Sequence, residues 1–514
     1  MARSLRSTLA TTLAVFAACH TSSSPPRPSA ARLPNVVVLY ADDLGYGDLG
    51  CYNREGKIPT PHLDGLAAQG LRCRDAHSSS GICTPSRYAL LTGRHHWRQF
   101  HDIVDSFGPS VFEPGRLTLQ EMLAAHGYRT ACIGKWHLGW DWNAIKRPGA
   151  APMQQDGKPA GYAADAFDWS LPIPGGPLAH GFQHYFGDDV PNFPPYAWIV
   201  DDRVVTAPTV SFAPAPKPTE GTAEGRPGPM VDGWRLDAVM PALTAHAVEW
   251  LRARQGEEQP FFLYFPFTSP HAPIVPATEF VGRSGAGAYG DFVVQTDAAV
   301  GAVLAALDQL GLAENTLVVF SSDNGPEQFA YDRIRRTGHR SAGEWRGVKR
   351  DVYEGGHRVP LLVRWPGVIA AGSVTDALIG QVDLMATLAS VVGHELPHGA
   401  AEDSFDLLPL WRGEVDAVRP FLVHNTYATR WAIRRGDWLL VDASHGSHTK
   451  VPEWLAAAQG YAPNVHDVEL FDLRTDPGQR HNLCEQHREV VAELQALLRR
   501  LREQGHSAPR LAGR

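Results

Sequence analysis

The sequence predicts an α/β fold: a large, mostly parallel sheet sandwiched by helices, followed by a smaller C-terminal antiparallel sheet with one helix packed on it. Three observations carry this expectation. Continuous apolar runs such as Asn35–Tyr40 alternate with helix-like segments. Polar residues cluster directly after several of those runs, where the carboxyl ends of parallel strands would lie. Beyond about residue 410 the texture changes to short strand-like pieces separated by turn signals.

Asn35–Tyr40 reads as a buried parallel strand because it is apolar throughout and β-branched at its start, and Ala41-Asp42-Asp43 closes it. Thr60 and Pro61 open a helix that Gly70 ends. Leu117–His126 is a second helix, stopped by Gly127, and Arg129–Ile133 is a strand leading into Gly134-Lys135-Trp136-His137-Leu138-Gly139. Residues 143–230 are rich in Gly and Pro and weakly periodic, so they read as long loops over the sheet edge. Leu236–Arg252 is helical, and Pro260–Phe267 is a buried strand ending in Thr268-Ser269-Pro270-His271. Phe292–Leu310 is helical, and Thr316–Ser321 is a strand ending in Ser322-Asp323-Asn324. Phe421–His424, Trp431–Arg434, Trp438–Val441 and Glu469–Leu473 form the antiparallel set, and Val490–Gln504 is the terminal amphipathic helix.

Residues 1–31 read as a leader. Arg3 and Arg6 precede the short apolar stretch Leu9–Ala18, as in a secretory signal. Phe16-Ala17-Ala18-Cys19 resembles a bacterial lipobox, which implies a lipid on Cys19 as the sole membrane attachment; simple cleavage and secretion is the alternative. The Ser- and Pro-rich Thr21–Ala31 is a tether. The expected organisation is thus a leader and tether over 1–31, a large α/β domain over 32–410 and a C-terminal subdomain over 411–514, in an exported protein that is periplasmic, at the cell surface or secreted.

The 514 residues are 44% hydrophobic and 20% charged, enough for a large core, and the net charge of −8 speaks against nucleic acid as a partner. Six cysteines occur; with Cys19 and Cys83 set apart, Cys51, Cys73, Cys132 and Cys484 remain, and sequence does not pair them. No Cys-x-x-Cys is present, which argues against a zinc site on that spacing.

Asp42, Asp43, Asp323 and Asn324 are oxygen donors, a set that suits a hard divalent cation, calcium first and magnesium second. Cys83-Thr84-Pro85-Ser86-Arg87 begins where a loop turns into a helix, so backbone N–H groups there point at an anion, and Arg87 lies one helical turn on, on the same face.

Cys83-Thr84-Pro85-Ser86-Arg87 with Thr92-Gly93-Arg94 resembles the signature of the type I sulfatases of the alkaline phosphatase superfamily. So do Gly134–Gly139, Ser269-Pro270-His271-Ala272-Pro273, Ser322-Asp323-Asn324-Gly325, Gly347-Val348-Lys349 and Glu354-Gly355-Gly356. Leu470-Phe471-Asp472-Leu473, Asp476-Pro477 and Asn482-Leu483 match the family's C-terminal element, so the resemblance runs from about residue 33 to 485. It implies an alkaline-phosphatase-like fold. It also implies that a formylglycine-generating enzyme converts Cys83 to Cα-formylglycine, whose hydrate attacks sulfur beside a Ca2+ held by Asp42, Asp43, Asp323, Asn324 and the modified Cys83. On that resemblance Arg87 fixes the formylglycine oxygen and the metal carboxylates, and Lys135 and Lys349 bind sulfate oxygens. His271 protonates the leaving alkoxide, and His137 takes the proton from the diol.

For substrate, the stretch Gly187–Tyr196 resembles a loop of bacterial arylsulfatases and N-acetylgalactosamine-6-sulfatases. Asp189, Asn192 and Tyr196 are its candidates for reading sugar hydroxyls, against the equal alternative that the loop only packs over the sheet. The expected substrate is a sulfated carbohydrate or an aryl sulfate. A phosphodiester or phosphonate hydrolase of the same superfamily, and a non-catalytic binder of sulfated glycans, are the competing readings.

Overall fold

The computed structural model describes Met1 and residues 32–155, 158–159, 161–214, 220–221 and 223–509. The signal stretch, Cys19 and the tether lie outside the described residues. The chain divides into two units, Met1–Leu33 and Pro34–Arg514, and every described helix and strand lies in the second.

Ten strands form one sheet: β1 (Asn35–Ala41), β2 (Leu71–His77), β3 (Arg129–Ile133), β4 (His184–Gly187), β5 (Ile199–Val200), β6 (Arg203–Val204), β7 (Phe261–Pro266), β8 (Thr316–Ser322), β9 (Leu361–Arg364) and β10 (Ser373–Gly380). Their order is β10-β2-β9-β8-β1-β7-β3-β4-β5-β6. The central block β8-β1-β7-β3-β4 is parallel throughout. Antiparallel pairing enters at β9, between β8 and β2, and at the short strands β5 and β6. Every residue of β1, β7 and β8 is buried, which is why these three read as unbroken apolar runs: both faces are covered.

Five helices position the core and the site: α1 (Pro61–Gln69), α2 (Cys83–Thr92), α3 (Leu119–Ala125), α4 (Val239–Arg252) and α5 (Gly287–Gln309). Side chains alternate across β1. Val37, Leu39 and Ala41 enter the core formed with α1, α4 and α5. The alternate position Tyr40 lies near Arg87 of α2, whose guanidinium is 5.6 Å from its ring centre. The long helix α5 is apolar enough by length and composition to cross a membrane, but 72% of its apolar window is buried, and it packs on α1 and α4 as a core helix. The crossing with α1 is close: a Cβ on Gly301 would stand 2.5 Å from the His62 ring. Thr60 does not cap α1; its hydroxyl accepts the Gly50 N–H at 2.9 Å and bonds Asp64 at 3.2 Å. Reciprocal capping occurs instead at α3, where Thr118 and Glu121 satisfy each other's N–H groups.

The C-terminal strands β11 (Leu422–Asn425), β12 (Trp431–Arg435), β13 (Trp438–Val441) and β14 (Glu469–Asp472) form an antiparallel meander. The terminal helix, Arg488–Glu503, lays Leu494, Leu497, Leu498 and Leu501 on Val423, Ile433, Leu440 and Leu470. That spacing is one helical face, and each Leu buried in this way stabilises by about 1.5–3 kcal/mol.

Three parts differ from the sequence expectation. β2 is a strand that its charged residues conceal, β9 and β10 carry the sheet past the predicted set, and the region 143–230 contributes β4, β5 and β6 in place of loop alone. Cys51, Cys73, Cys83, Cys132 and Cys484 are free thiols.

Candidate active site

The loops that leave β1, β7, β8 and β3 are stitched together by backbone bonds just past the strand ends. Phe267 N–H donates to Tyr40 O at 2.8 Å, Asp323 N–H to Ala41 O at 3.1 Å, Asp42 N–H to Ser269 O at 3.1 Å and Lys135 N–H to Pro266 O at 2.8 Å. The approach at the last of these is tight. Gly134 has φ +125°, and a Cβ there would meet Pro266 O at 1.9 Å, so a side chain is excluded twice over. This stitching brings Asp42, Asp43, Lys135, Asp323 and Asn324 to one sheet edge, all 2% exposed or less.

Each acid there has a cation. Lys135 Nζ lies 2.6 Å from Asp42 Oδ2, and Lys349 Nζ lies 2.6 Å from Asp43 Oδ1. Arg87 donates from Nε (3.0 Å) and a terminal nitrogen (2.7 Å) to Asp323 Oδ2, and stands 3.6 Å from Asp42 Oδ1. Asn324 Nδ2 donates to Asp43 Oδ1 at 2.7 Å, and Asp43 N–H donates to Asp323 Oδ1 at 3.2 Å. Burial pushes Asp43 upward, but Lys349 and His271 outweigh it and hold its carboxyl below the usual range. Asp323 goes the other way: burial, with the charge of Asp42 added, raises it to about 6 despite Arg87. Burial opposes the charge on Lys349, yet Asp43 leads the groups that keep it above its ordinary value.

Two buried oxygens in this cluster, Asp42 Oδ1 and Asn324 Oδ1, have no hydrogen-bond partner. A bare buried acceptor costs about 1–3 kcal/mol. Asp42, Asp43 and His271 offer ligand atoms within 4.8 Å of one another. An all-oxygen set with unsatisfied acceptors fits a hard divalent cation.

Cys83 is the first residue of α2 and is 3% exposed. Its helix is buried over all ten residues and ends on Gly93 in the left-handed conformation, φ 64°. Ile82 precedes it in extended conformation with no capping side chain, which leaves the Cys83 and Thr84 N–H groups available to an anion; Pro85 has none to offer. Thr84 Oγ1 donates to His137 O at 2.9 Å and accepts the Val104 N–H at 3.1 Å, tying Cys83's helix to the His137 turn.

His137 takes φ 54°, and its N–H donates to Asp189 Oδ1 at 3.1 Å. Its Nε2 faces Val104 O at 2.9 Å; a carbonyl only accepts, so the hydrogen sits on Nε2 and the buried, unpartnered Nδ1 is a free acceptor. Burial, then Lys135 and Arg87, push this imidazole well below its usual range. His271 Nε2 lies 3.7 Å from Asp43 Oδ2, and its Nδ1 faces Ala272 O. Burial and then Lys349 lower it to about 3.

The structure therefore brings Asp42, Asp43, Arg87, Lys135, His271, Asp323, Asn324 and Lys349 into one connected cluster, with His137 joined to Cys83's helix through Thr84. The predicted loop residues stand differently. Asp189 is occupied in shaping the His137 turn, since its O also accepts the Trp136 N–H at 3.0 Å. Tyr196 is 1% exposed, and its hydroxyl bonds Asn192 O (3.0 Å) and Arg226 O (2.7 Å), so its contacts are those of packing. Asn192 has a buried Oδ1 without a partner. Sequence reasoning missed the side chains around them. Glu224 feels the charges of Glu327, Lys349, Asp43 and Arg350, and Arg226 lies 3.7 Å over the Phe193 ring, whose centre is 5.3 Å from that of His137. The only signal was a charged pair around Gly225 in a Gly- and Pro-rich stretch.

The model of the Sulfatase family matches residues 34–394. The chain is 32% identical over 515 residues to an N-acetylgalactosamine-6-O-sulfatase of Bacteroides thetaiotaomicron, covering 95% of this chain and 96% of that one. It is 35% identical over 480 residues to human arylsulfatase A, covering 88% and 84%. A solved structure described under the metabolism of multiple glycosaminoglycans by Bacteroides thetaiotaomicron superposes with a TM-score of 0.76 at 29% identity, over 92% of this chain and all of that one. Formylglycine and metal use are general in this family. The chain belongs to the sulfatase family and is an enzyme that hydrolyses sulfate esters.

Proposed function

We propose that the enzyme releases inorganic sulfate from a sulfated carbohydrate, using a formylglycine derived from Cys83 and a bound Ca2+, with Mg2+ the second choice. The observation that carries the cation is the pair of bare buried oxygens, Asp42 Oδ1 and Asn324 Oδ1, among carboxylates. Asp42, Asp43, Asp323, Asn324 and the modified Cys83 would hold it. Bound there, the cation would supply Lewis acidity to the reaction.

The chain's own residues do the rest. Arg87 fixes Asp323 and, through it, the acid cluster beside Cys83. Lys135 and Lys349 neutralise the carboxylates in the free site and turn to sulfate oxygens when the ester arrives, where negative charge persists through the reaction. His137 accepts a proton at its free Nδ1, oriented by Val104 O. His271 donates a proton to the leaving alkoxide from Nε2. Its charged form is disfavoured in the free site by burial and by Lys349, and an anionic ester beside Lys349 offsets that second cause.

The carbohydrate reading is supported by the Bacteroides relative, named for N-acetylgalactosamine 6-O-sulfate, and by the reading of residues 1–31 as an export leader, with a lipid on Cys19 or release by cleavage. Residues 32–410 are proposed as the catalytic domain and 411–514 as the C-terminal subdomain. Maturation requires a formylglycine-generating enzyme in the host. The test is a panel of sulfated sugars, an aryl sulfate, a phosphodiester and a phosphonate, offered to enzyme matured in such a host. Sulfate release from a sulfated sugar should exceed phosphodiester turnover by orders of magnitude; the reverse order would overturn the reading.

A further inference from the structure

Residues 223–231 form a strap that ends beside the site, and its anchoring is unusually complete. Tyr196 holds it at three points: its hydroxyl donates to Arg226 O (2.7 Å), its N–H donates to Pro229 O (2.9 Å), and its O accepts the Val231 N–H (3.0 Å). Arg226 N–H donates to Asn192 O at 2.8 Å. Gly225 lies so close to this anchor that a Cβ would stand 2.5 Å from the Tyr196 hydroxyl and 2.8 Å from the Phe212 ring. Tyr196 and Asn192 thus set the position of the strap.

The strap presents two side chains. Glu224 is half-buried within the field of Glu327, Lys349 and Asp43. Arg226 places its guanidinium carbon over Phe193, 3.7 Å from the ring centre, and Phe193 meets His137 edge-on at 5.3 Å. The arginine side chain is 40% exposed, and its single ion-pair partner among the described residues is Asp105, 2.7 Å away and 76% exposed. An exposed pair of this kind contributes little and exchanges readily. The aromatic face beneath restrains the guanidinium, which lowers the ordering cost of a bidentate contact.

We infer that Arg226 is a specificity-determining residue: one ring removed from His137, it receives an anionic substituent of the substrate, a carboxylate or a second sulfate, and Asp105 holds its place in the free enzyme. This rests on the carbohydrate reading above and narrows it to acidic glycans.

The test compares three sulfated disaccharides differing only in the second sugar: neutral, uronic acid, or sulfated. 4-Nitrophenyl sulfate is the reference ester. Wild-type enzyme should prefer one of the anionic disaccharides to the neutral one. Arg226→Ala should raise KM for it about 10- to 100-fold, the range of a lost charge-assisted bond, with a far smaller change in kcat. The loss on the neutral disaccharide and on 4-nitrophenyl sulfate should be several times smaller. Arg226→Lys, which keeps the charge without the planar fork, should recover part of the loss. Asp105→Asn should lower the same KM, and added salt should raise it more in wild type than in Arg226→Ala. Whichever anionic disaccharide loses more identifies the group received. An equal loss on all substrates, or no preference for an anionic disaccharide in wild type, would overturn the assignment. Turnover of 4-nitrophenyl sulfate with none of any disaccharide would instead sink the carbohydrate reading itself.

Discussion

Two of the buried charge clusters among the described residues, the active-site floor and one rich in histidine, solve the same problem in opposite ways. The active-site floor gathers Asp42, Asp43 and Asp323 against Arg87, Lys135 and Lys349, and leaves acceptor oxygens bare. The second cluster lies between the two sheets, where His77, His357 and His424 meet beside Asp75, Glu354, Arg358 and Arg434. There the acids are paired with arginines, and the bare atoms are Arg434 Nε and both ring nitrogens of His424, whose ring stacks on His357 at 3.6 Å. Burial drives these histidines neutral, with His357 down to about 3. The floor thus leaves oxygens bare among charged groups, whereas in the second cluster the acids are paired with arginines and burial favours neutral imidazoles. Ionic groups alone do not make a site; unsatisfied oxygens beside paired cations do.

The contrast can be broken most severely at Cys83. Cys83→Ala should lower kcat on the order of 10^4–10^6, as loss of a nucleophile does, while the thermal midpoint moves little. Arg87→Lys comes next. The 0%-exposed guanidinium serves Asp323 through two donors, and a lysine leaves that geometry unmet, so stability should fall by about 3–5 kcal/mol in urea unfolding together with activity. The histidine cluster should respond to pH instead. His357 in this cluster, and His95 outside it beside Ser79, are both lowered to about 3 by burial, below the ordinary 6.5. Their stabilising contribution is therefore full above 6.5 and is lost as pH falls from there toward 3. The slope is about 1.4 kcal/mol per pH unit for each histidine. Denaturant melts between pH 7 and 4 on His357→Gln should show a shallower acid decline than wild type. The smallest effect is expected at Tyr196→Phe, which removes one anchoring hydroxyl and should cost about 1 kcal/mol, with a rise in KM for glycans larger than that for an aryl sulfate.

The same physics decides how much of the molecule was legible in the sequence. β1, β7 and β8 are buried on both faces, so their runs are unbroken, and the acids directly after them had to fall at one sheet edge. The helix start at Cys83, with Arg87 one turn on, was readable as well; that no side chain caps it is shown by the structure alone. β2 was not readable, because Arg72, Arg74 and Asp75 interrupt a run whose burial alternates irregularly. β5 and β6 are two residues each, too short to leave a period. The histidine cluster is assembled from positions as far apart as His77 and His424, and no local pattern joins them. The lysines were expected on sulfate oxygens; they also pair with Asp42 and Asp43, which only tertiary geometry reveals. Asp189 and Tyr196 drew attention by residue type, but their bonds go to the backbone of the His137 turn and of the strap.

The claim on which the rest depends is that Cys83, at the head of a buried helix beside this floor, serves as an aldehyde precursor and not as a thiol. Peptide mass spectrometry across Cys83 in active enzyme from a formylglycine-competent host tests it directly. The expected result is a peptide lighter than the cysteine form by roughly 18 Da, in proportion to specific activity. Full activity with an unmodified Cys83 thiol would contradict the account.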